Sequence, residues 1–216
     1  MSRQVFLLHG FLRTGVSMLP MAVALKKAGY MVSLPTWAYH WRRLPDIAQE
    51  LAGRIESLAD QTGDTIDLVT HSYGGVLARA VIPHAPVRRL VMLAPPNHGA
   101  QTAEIARRLI PVHEVGWDPF AQVLPGIPAQ LPRGTAEVGI ITGGTGTSRG
   151  FNPVLDGDND QTVRVEEARL DGVSHFVVVP VRHTFLPGNK EVQRLTLGFL
   201  ADGEFPSSES AVEQQR

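Results

Sequence analysis

The chain has 216 residues, a length that fits one domain with a sizeable core. Its 20 Lys and Arg residues against 21 Asp and Glu residues give a formal net charge of -1, so charge provides no reason to expect binding to nucleic acid or to an anionic membrane. Cysteine is absent, which excludes disulfides, cysteine metal ligands and thiol catalysis.

Short apolar runs rich in β-branched residues alternate along the chain with longer segments of helical spacing. The strand-like runs are 4–9, 30–35, 65–70, 87–94, 136–143 and 175–181. The helical patterns are 15–29, 44–63, 73–82 and 189–200. This alternation is typical of a parallel sheet that is covered by helices on both faces. We therefore expect an α/β fold with a mostly parallel sheet of six strands.

The first apolar stretch, "VFLLHGFL", lacks the small-residue cleavage site of a secretory leader. Neither this stretch nor any later one is long and apolar enough to be an integral membrane segment. The sequence therefore predicts a cytoplasmic location, and it does not indicate an oligomeric state.

Residues 110–134 interrupt the alternation with five prolines, a density that excludes regular helix or a central strand. We expect an excursion between the fourth and fifth strands, with one helical turn near Asp118. Its apolar side chains fit either a partial lid over a site or a loop that packs on the core, and both interpretations stay open. Residues 1–202 are expected to form one domain and residues 203–216 a polar, unstructured tail.

The segment "THSYGG" (70–75) places a single serine, Ser72, between the third strand and the helix that follows. A serine hydroxyl becomes a good nucleophile only when a neighbouring base takes its proton. A hinge of this kind presents the hydroxyl at the carboxyl edge of the sheet, where the sites of open parallel sheets gather. Gly74 and Gly75 are expected to let the helix pack closely on the strands. The alternative is a strand–helix corner with an incidental serine.

The loop after the first strand, "HGF" (9–11), is the predicted partner of this hinge. Gly10 allows a turn that brings the Phe11 N–H beside the Tyr73 N–H, and these two donors are predicted to hold an oxyanion. His9 is expected to support the loop rather than to take part in the chemistry.

The predicted base is His183, which follows the last strand, whereas His175 precedes that strand and is expected at the opposite edge. His71 adjoins the serine but is expected to point away from it. The predicted acid is Asp160, shortly before the "TV" pair in the loop "LDGDNDQTV", with Asp158 as the alternative. Its task is to accept the imidazole N–H, fix the tautomer and stabilise the imidazolium.

A second interpretation of this loop is a calcium site. Asp156, Asp158, Asp160 and Glu167 fall at positions 1, 3, 5 and 12 of a calcium-loop template. Position 6 is Gln161 instead of the glycine that the turn requires, and no pair of helices flanks the loop. The sequence therefore predicts no metal site.

These motifs together resemble the α/β-hydrolase superfamily, in particular the small bacterial lipases and esterases with a minimal six-stranded sheet, and they are similar to the GPI-inositol-deacylase-like lipases. The residues that carry the resemblance are "HGF" (9–11), "HSYGG" (71–75), "NDQTV" (159–163) and "RHTF" (182–185). The resemblance implies that Ser72 is the nucleophile, Asp160 the acid and His183 the base. It also implies that Phe11 and Tyr73 are the oxyanion donors and that no cofactor is required. One departure is Thr70, which stands where the motif G-x-S-x-G has its first glycine, so the tightness of the hinge is in question.

The loop "TWAYHWRR" (36–43) concentrates three aromatic side chains near the predicted site. Trp37, Tyr39 and Trp41 are candidates for the wall of a substrate pocket, although packing over the sheet edge explains them equally well. The leading functional hypothesis is a serine hydrolase that cleaves small carboxylic esters through an acyl-enzyme. The alternatives are a thioesterase, amidase or acyltransferase with the same residues, or a member of the fold that binds a ligand without catalysis.

Overall fold

The computed structural model of the protein describes residues 2–37, 42–110 and 118–207. In that part of the chain six strands form one sheet, in the order β2-β1-β3-β4-β5-β6, and every neighbouring pair is parallel. The strands are β1 (Gln4–Leu8), β2 (Met31–Ser33), β3 (Ile66–His71), β4 (Val87–Leu93), β5 (Glu137–Gly143) and β6 (Phe176–Val179). The expected α/β fold with a six-stranded parallel sheet is confirmed.

The helices lie on both faces of this sheet. They are α1 (Leu19–Lys27), α2 (Leu44–Thr62), α3 (Tyr73–Val81), α4 (Gln101–Leu109), α5 (Ile127–Gln130), α6 (Val165–Ala168) and α7 (Lys190–Asp202). Short 3-10 turns occupy Gly15–Met18, Ile82–His84, Pro119–Val123 and His183–Gly188.

Two buried clusters hold the layers together, because successive side chains of a strand point to opposite faces of a sheet. Leu8 and Leu68 belong to the cluster that α2 and α3 cover. Leu7 and Val69, their neighbours in sequence, belong to the cluster that α1 and α7 cover. Since both faces are covered, β3 is buried along its whole length.

Three features differ from the expectations or refine them. Helix α4 was not predicted, and Ala103 is its buried residue. The helical turn expected near Asp118 is present as Pro119–Val123, and the Asp118 carboxylate accepts a hydrogen bond from the Phe120 N–H. The tail is not unstructured from its start, because the Phe205 ring packs on Phe199 of α7 with 5.1 Å between ring centroids.

Candidate active site

Ser72 lies on a tight hinge between β3 and α3, with φ 55° and ψ -125°. A non-glycine residue rarely adopts this conformation, and it persists only where the surrounding structure holds it. The Ser72 N–H donates to the carbonyl of Leu93 at the end of β4, over 2.8 Å. A Cβ added to Gly74 would lie 2.5 Å from the carbonyl oxygen of Leu8. The close packing of α3 on the end of β1 therefore requires glycine, as expected.

Thr70 does not prevent this hinge. Its side chain is buried, and a Cβ added to Gly75 would lie 3.5 Å from its hydroxyl oxygen. That distance is an ordinary contact, whereas the same Cβ would lie 2.8 Å from the Cβ of Pro95, so Pro95 rather than Thr70 accounts for glycine at position 75. The hinge therefore forms with threonine in place of the first glycine of the motif.

His183 and Asp160 form a buried pair next to this hinge. The His183 Nδ1–H donates to Oδ2 of Asp160 over 2.6 Å, and the His183 backbone N–H donates to the Asp160 carbonyl over 2.8 Å. Because Nδ1 carries the proton, Nε2 of the neutral ring is the atom that can accept one. The loop that contains Asp160 thus fixes both the ring and the backbone of His183.

The remaining oxygen of Asp160 is held by the backbone. Its Oδ1 accepts hydrogen bonds from the N–H groups of Thr162 and Val163, at 2.9 and 2.7 Å. Asp158, the alternative acid, instead accepts from the N–H groups of Thr145 and Gly146. Of the two carboxylates, Asp160 is the one that reaches His183.

His71 is placed differently from the prediction. Its ring packs on the ring of His183, with 4.6 Å between centroids, and its Nε2–H donates to the His183 carbonyl over 3.0 Å. The Nδ1 atom of His71 is buried without a hydrogen-bond partner. Burial first, and then the electrostatic influence of the adjacent His183, hold the pKa of His71 well below its usual value, so the His71 ring is neutral. The expectation that His71 points away from the site is wrong, because the chain turns at Ser72 and the alternation of a regular strand ends there.

The loop after β1 closes the other side of the hinge. A Cβ added to Gly10 would lie 3.2 Å from the Cβ of Ser72, so the loop passes close to the serine just before Phe11. Among the described residues no hydrogen bond starts from the Phe11 N–H. The Tyr73 N–H is the first of α3 and directly follows Ser72.

His9 has the supporting role expected from the sequence. It is fully buried, its Nδ1–H donates to the Gly10 carbonyl over 2.9 Å, and its Nε2 accepts from the Trp37 N–H over 3.1 Å. It therefore joins the loop after β1 to the loop after β2. Burial lowers its pKa.

A cavity of about 280 Å³ opens at this hinge. Ser72 and His183 both line it, together with Phe11 and with Phe120 of the proline-rich excursion. No direct hydrogen bond joins the Ser72 hydroxyl to His183 in the described part of the chain, and such bonds often tighten only when substrate is bound. The excursion is also fixed to the hinge, because the Tyr73 hydroxyl donates to Oε1 of Gln122 over 2.9 Å. Whether the excursion acts as a lid stays a prediction.

The aromatic candidates for the pocket wall have different outcomes. Trp37 is 5% exposed and belongs to the core cluster below α2, and it is not among the described residues that line the cavity. The assignment of Trp37 to the pocket wall is wrong, because its ring is buried in the core and its backbone N–H donates to Nε2 of His9. Tyr39 and Trp41 lie outside the described residues.

The calcium interpretation gains no support. The described residues contain no group of three or more His, Cys, Asp or Glu side chains placed to hold a metal ion. Glu167 accepts from the Arg164 and Gln101 N–H groups, and Asp156 accepts from the Gln101 amide.

No helix in the described ranges has the length and apolar character needed to cross a membrane.

The sequence matches a known protein family over most of its length. The model of the alpha/beta hydrolase family matches residues 5–196. The chain belongs to the alpha/beta hydrolase family. A comparison with curated proteins finds no match.

Solved structures of this fold resemble the hydrolase over most of its length. The mature lipase BlEst2 of Bacillus licheniformis superposes with a TM-score of 0.71 at 19% identity, covering 93% of this chain and 91% of that one. A thermophilic esterase from Thermogutta terrifontis gives 0.61 at 16% identity, covering 93% and 90%. Aspergillus fumigatus lipase B gives 0.63 at 13% identity, covering 97% of this chain and 54% of that one. At these identities the likeness concerns the fold.

Proposed function

We propose that this alpha/beta hydrolase cleaves carboxylic esters through an acyl-enzyme on Ser72. The observation that carries the proposal is the buried Asp160–His183 pair, joined over 2.6 Å, at the cavity that also contains the strained serine. Lipases and esterases among the structural neighbours are consistent with an ester substrate.

In the proposed reaction the Ser72 hydroxyl attacks the ester carbonyl carbon while Nε2 of His183 takes its proton. The N–H groups of Phe11 and Tyr73 hold the oxyanion of the tetrahedral intermediate. His183 then gives the proton to the leaving alcohol. A water molecule, deprotonated by His183, then attacks the acyl carbon; the bond to the Ser72 oxygen breaks, His183 returns the proton to that oxygen, and the acid is released. Asp160 keeps the ring in the required tautomer and stabilises its protonated form.

A fluorophosphonate probe tests the nucleophile. We expect the probe to label the intact protein at Ser72 and to leave the Ser72→Ala variant unlabelled. A folded protein that stays unlabelled would refute the proposal. Hydrolysis of p-nitrophenyl esters from acetate to palmitate, beside matched thioesters and amides, then gives the acyl length and separates an esterase from a thioesterase or amidase.

The acid is tested by a matched pair of variants. Asp160→Asn leaves an acceptor with the wrong hydrogen-bonding character, and we expect kcat to fall roughly 1,000- to 10,000-fold. Asp158→Asn alters a carboxylate only two residues away that binds the 145–146 backbone instead. Equal losses in the two variants would contradict the role of Asp160.

A further inference from the structure

The wall of the cavity at Ser72 has an apolar part and a part that contains a charged side chain. One part of its wall is apolar and comes from α4 and the proline-rich excursion, through Ala103, Ala106, Phe120 and Val123. Another part comes from the loops after β1 and β6 and contains Arg13. Arg13 is the only Asp, Glu, Lys or Arg among the described residues that line the cavity.

Arg13 is bound to the protein by one side-chain hydrogen bond. Its Nη2 donates to Oγ1 of Thr184 over 2.9 Å, and no carboxylate of the described residues forms an ion pair with it. Arg88, in contrast, has both Nε and Nη2 on the carboxylate of Asp67. A guanidinium group offers five N–H donors in a planar fork, so most of those of Arg13 face solvent or a ligand.

We propose that Arg13 makes this cavity selective for esters whose alcohol part carries an anionic oxygen group, either a carboxylate or a phosphate. The inference rests on the proposed function. An oxyanion of this kind matches the guanidinium fork, and hydrogen bonds between two charged groups are the strong ones.

The position of Thr184 places the anion on the alcohol part. Thr184 directly follows His183, which in the proposed reaction hands its proton to the leaving alcohol. For this reason we place a group held by Arg13 on the alcohol side and the acyl part against the apolar wall. The charge of Arg13 reaches the serine hinge, since it lowers the pKa of His71 after the larger effects of burial and His183.

The test compares kcat/KM, measured by acid titration at low ionic strength, for matched esters. Three are butanoate esters of 4-hydroxybutanoate, of 3-hydroxypropyl phosphate and of neutral 4-hydroxy-N-methylbutanamide. The fourth, butyl hemisuccinate, carries its carboxylate on the acyl part. We expect the wild-type protein to prefer at least one of the two esters with an anionic alcohol part about tenfold or more over the neutral ester, and which of them it prefers identifies the anion.

Variants connect this preference to Arg13. Arg13→Met is expected to lower the ratio of anionic to neutral kcat/KM about 10- to 100-fold, and Arg13→Lys is expected to retain part of it. Arg182→Met is the matched control, because Arg182 also adjoins His183 but stacks on the Phe151 ring, 5.5 Å from its centroid. It should leave the ratio unchanged.

Several outcomes would overturn the inference. These are a wild-type ratio near one, an equal loss on all four esters in Arg13→Met, and a preference for the hemisuccinate that depends on Arg13. If the probe labels Ser72 and the neutral ester is hydrolysed, these results refute only the role of Arg13. If Ser72 is unlabelled and no ester is cleaved, the proposed function fails and this inference fails with it.

Discussion

The backbone conformation that presents the Ser72 hydroxyl at the cavity also lowers the stability of the fold. Its φ of 55° and ψ of -125° are costly for a side chain with a Cβ, on the order of 1–3 kcal/mol. Glycine avoids most of this cost, although it has more freedom to lose on folding. The surrounding structure tolerates the strain because the Ser72 N–H is anchored to β4 and α3 packs tightly on β1.

We therefore expect Ser72→Gly to be more stable than Ser72→Ala by about 1 kcal/mol in urea unfolding. The matched control is Ser57, an exposed residue inside α2, where the order is expected to reverse because glycine is about 1 kcal/mol worse than alanine in a helix. The same order at both positions would mean that the hinge carries no strain.

The N-terminus of α3 approaches the sheet so closely that one methyl group decides the fit. A Cβ on Gly74 would meet the backbone of Leu8 at 2.5 Å, and backbone atoms at the end of a central strand do not move easily. Gly53, in α2, would meet nothing within 4 Å. Close packing therefore requires glycine at position 74, whereas no packing contact requires it at position 53.

Gly74→Ala is expected to lower the free energy of unfolding by about 1–3 kcal/mol through overpacking. Gly53→Ala is expected to raise it by about 0.5–1 kcal/mol, since alanine is the better helix former. Thermal and urea unfolding of both variants check the pair. A harmless Gly74→Ala change would show that α3 has room to shift.

Arg79 connects α3 to the end of the proline-rich excursion, and no carboxylate of the described residues pairs with it. It is 2% exposed, and its guanidinium donates to the carbonyls of Leu131 and Pro132 and to both oxygens of Asn97. Burial lowers its pKa to about 10, which leaves it protonated at neutral pH. The proline-rich excursion is thus fixed near its end by a buried cation.

Arg79→Met leaves these buried acceptors without a donor, and we expect a loss of at least about 2 kcal/mol of stability, with faster proteolysis within 118–134. Arg133→Met removes an exposed arginine from the same segment and should stay within about 0.5 kcal/mol of wild type. If both variants unfold like the wild type, Arg79 does not anchor the excursion.

At the scale of the molecule, the fold was predictable where hydrophobic pattern decides it. The six strands are almost continuously apolar, and that pattern predicted the covered parallel sheet. Helix α4 was missed because it is short and largely polar, and Ala103 alone of its residues is buried. The contacts of the site depend on folding, since the side chains of Arg13 and Thr184 meet across 171 positions and His71 turns toward His183 only because of the hinge.

Buried neutral histidines make the stability of the whole molecule depend on pH. The pKa of His71, and to a smaller degree that of His9, lies below the ordinary value of 6.5 chiefly because of burial. As pH falls below about 6.5, the unfolded chain binds protons that the folded chain does not, so stability is complete above that pH and is lost as pH falls toward the lowered values. The slope is at most about 1.4 kcal/mol per pH unit for each histidine.

Replacing His71 with asparagine removes one of these titrations while keeping a hydrogen-bond donor near the His183 carbonyl. We expect His71→Asn to reduce the loss of unfolding free energy between pH 6.5 and 5.5 by about 1 kcal/mol relative to wild type. Urea titrations at several pH values measure the slope, and parallel slopes for wild type and His71→Asn would mean that His71 is protonated in the folded protein as readily as in the unfolded chain.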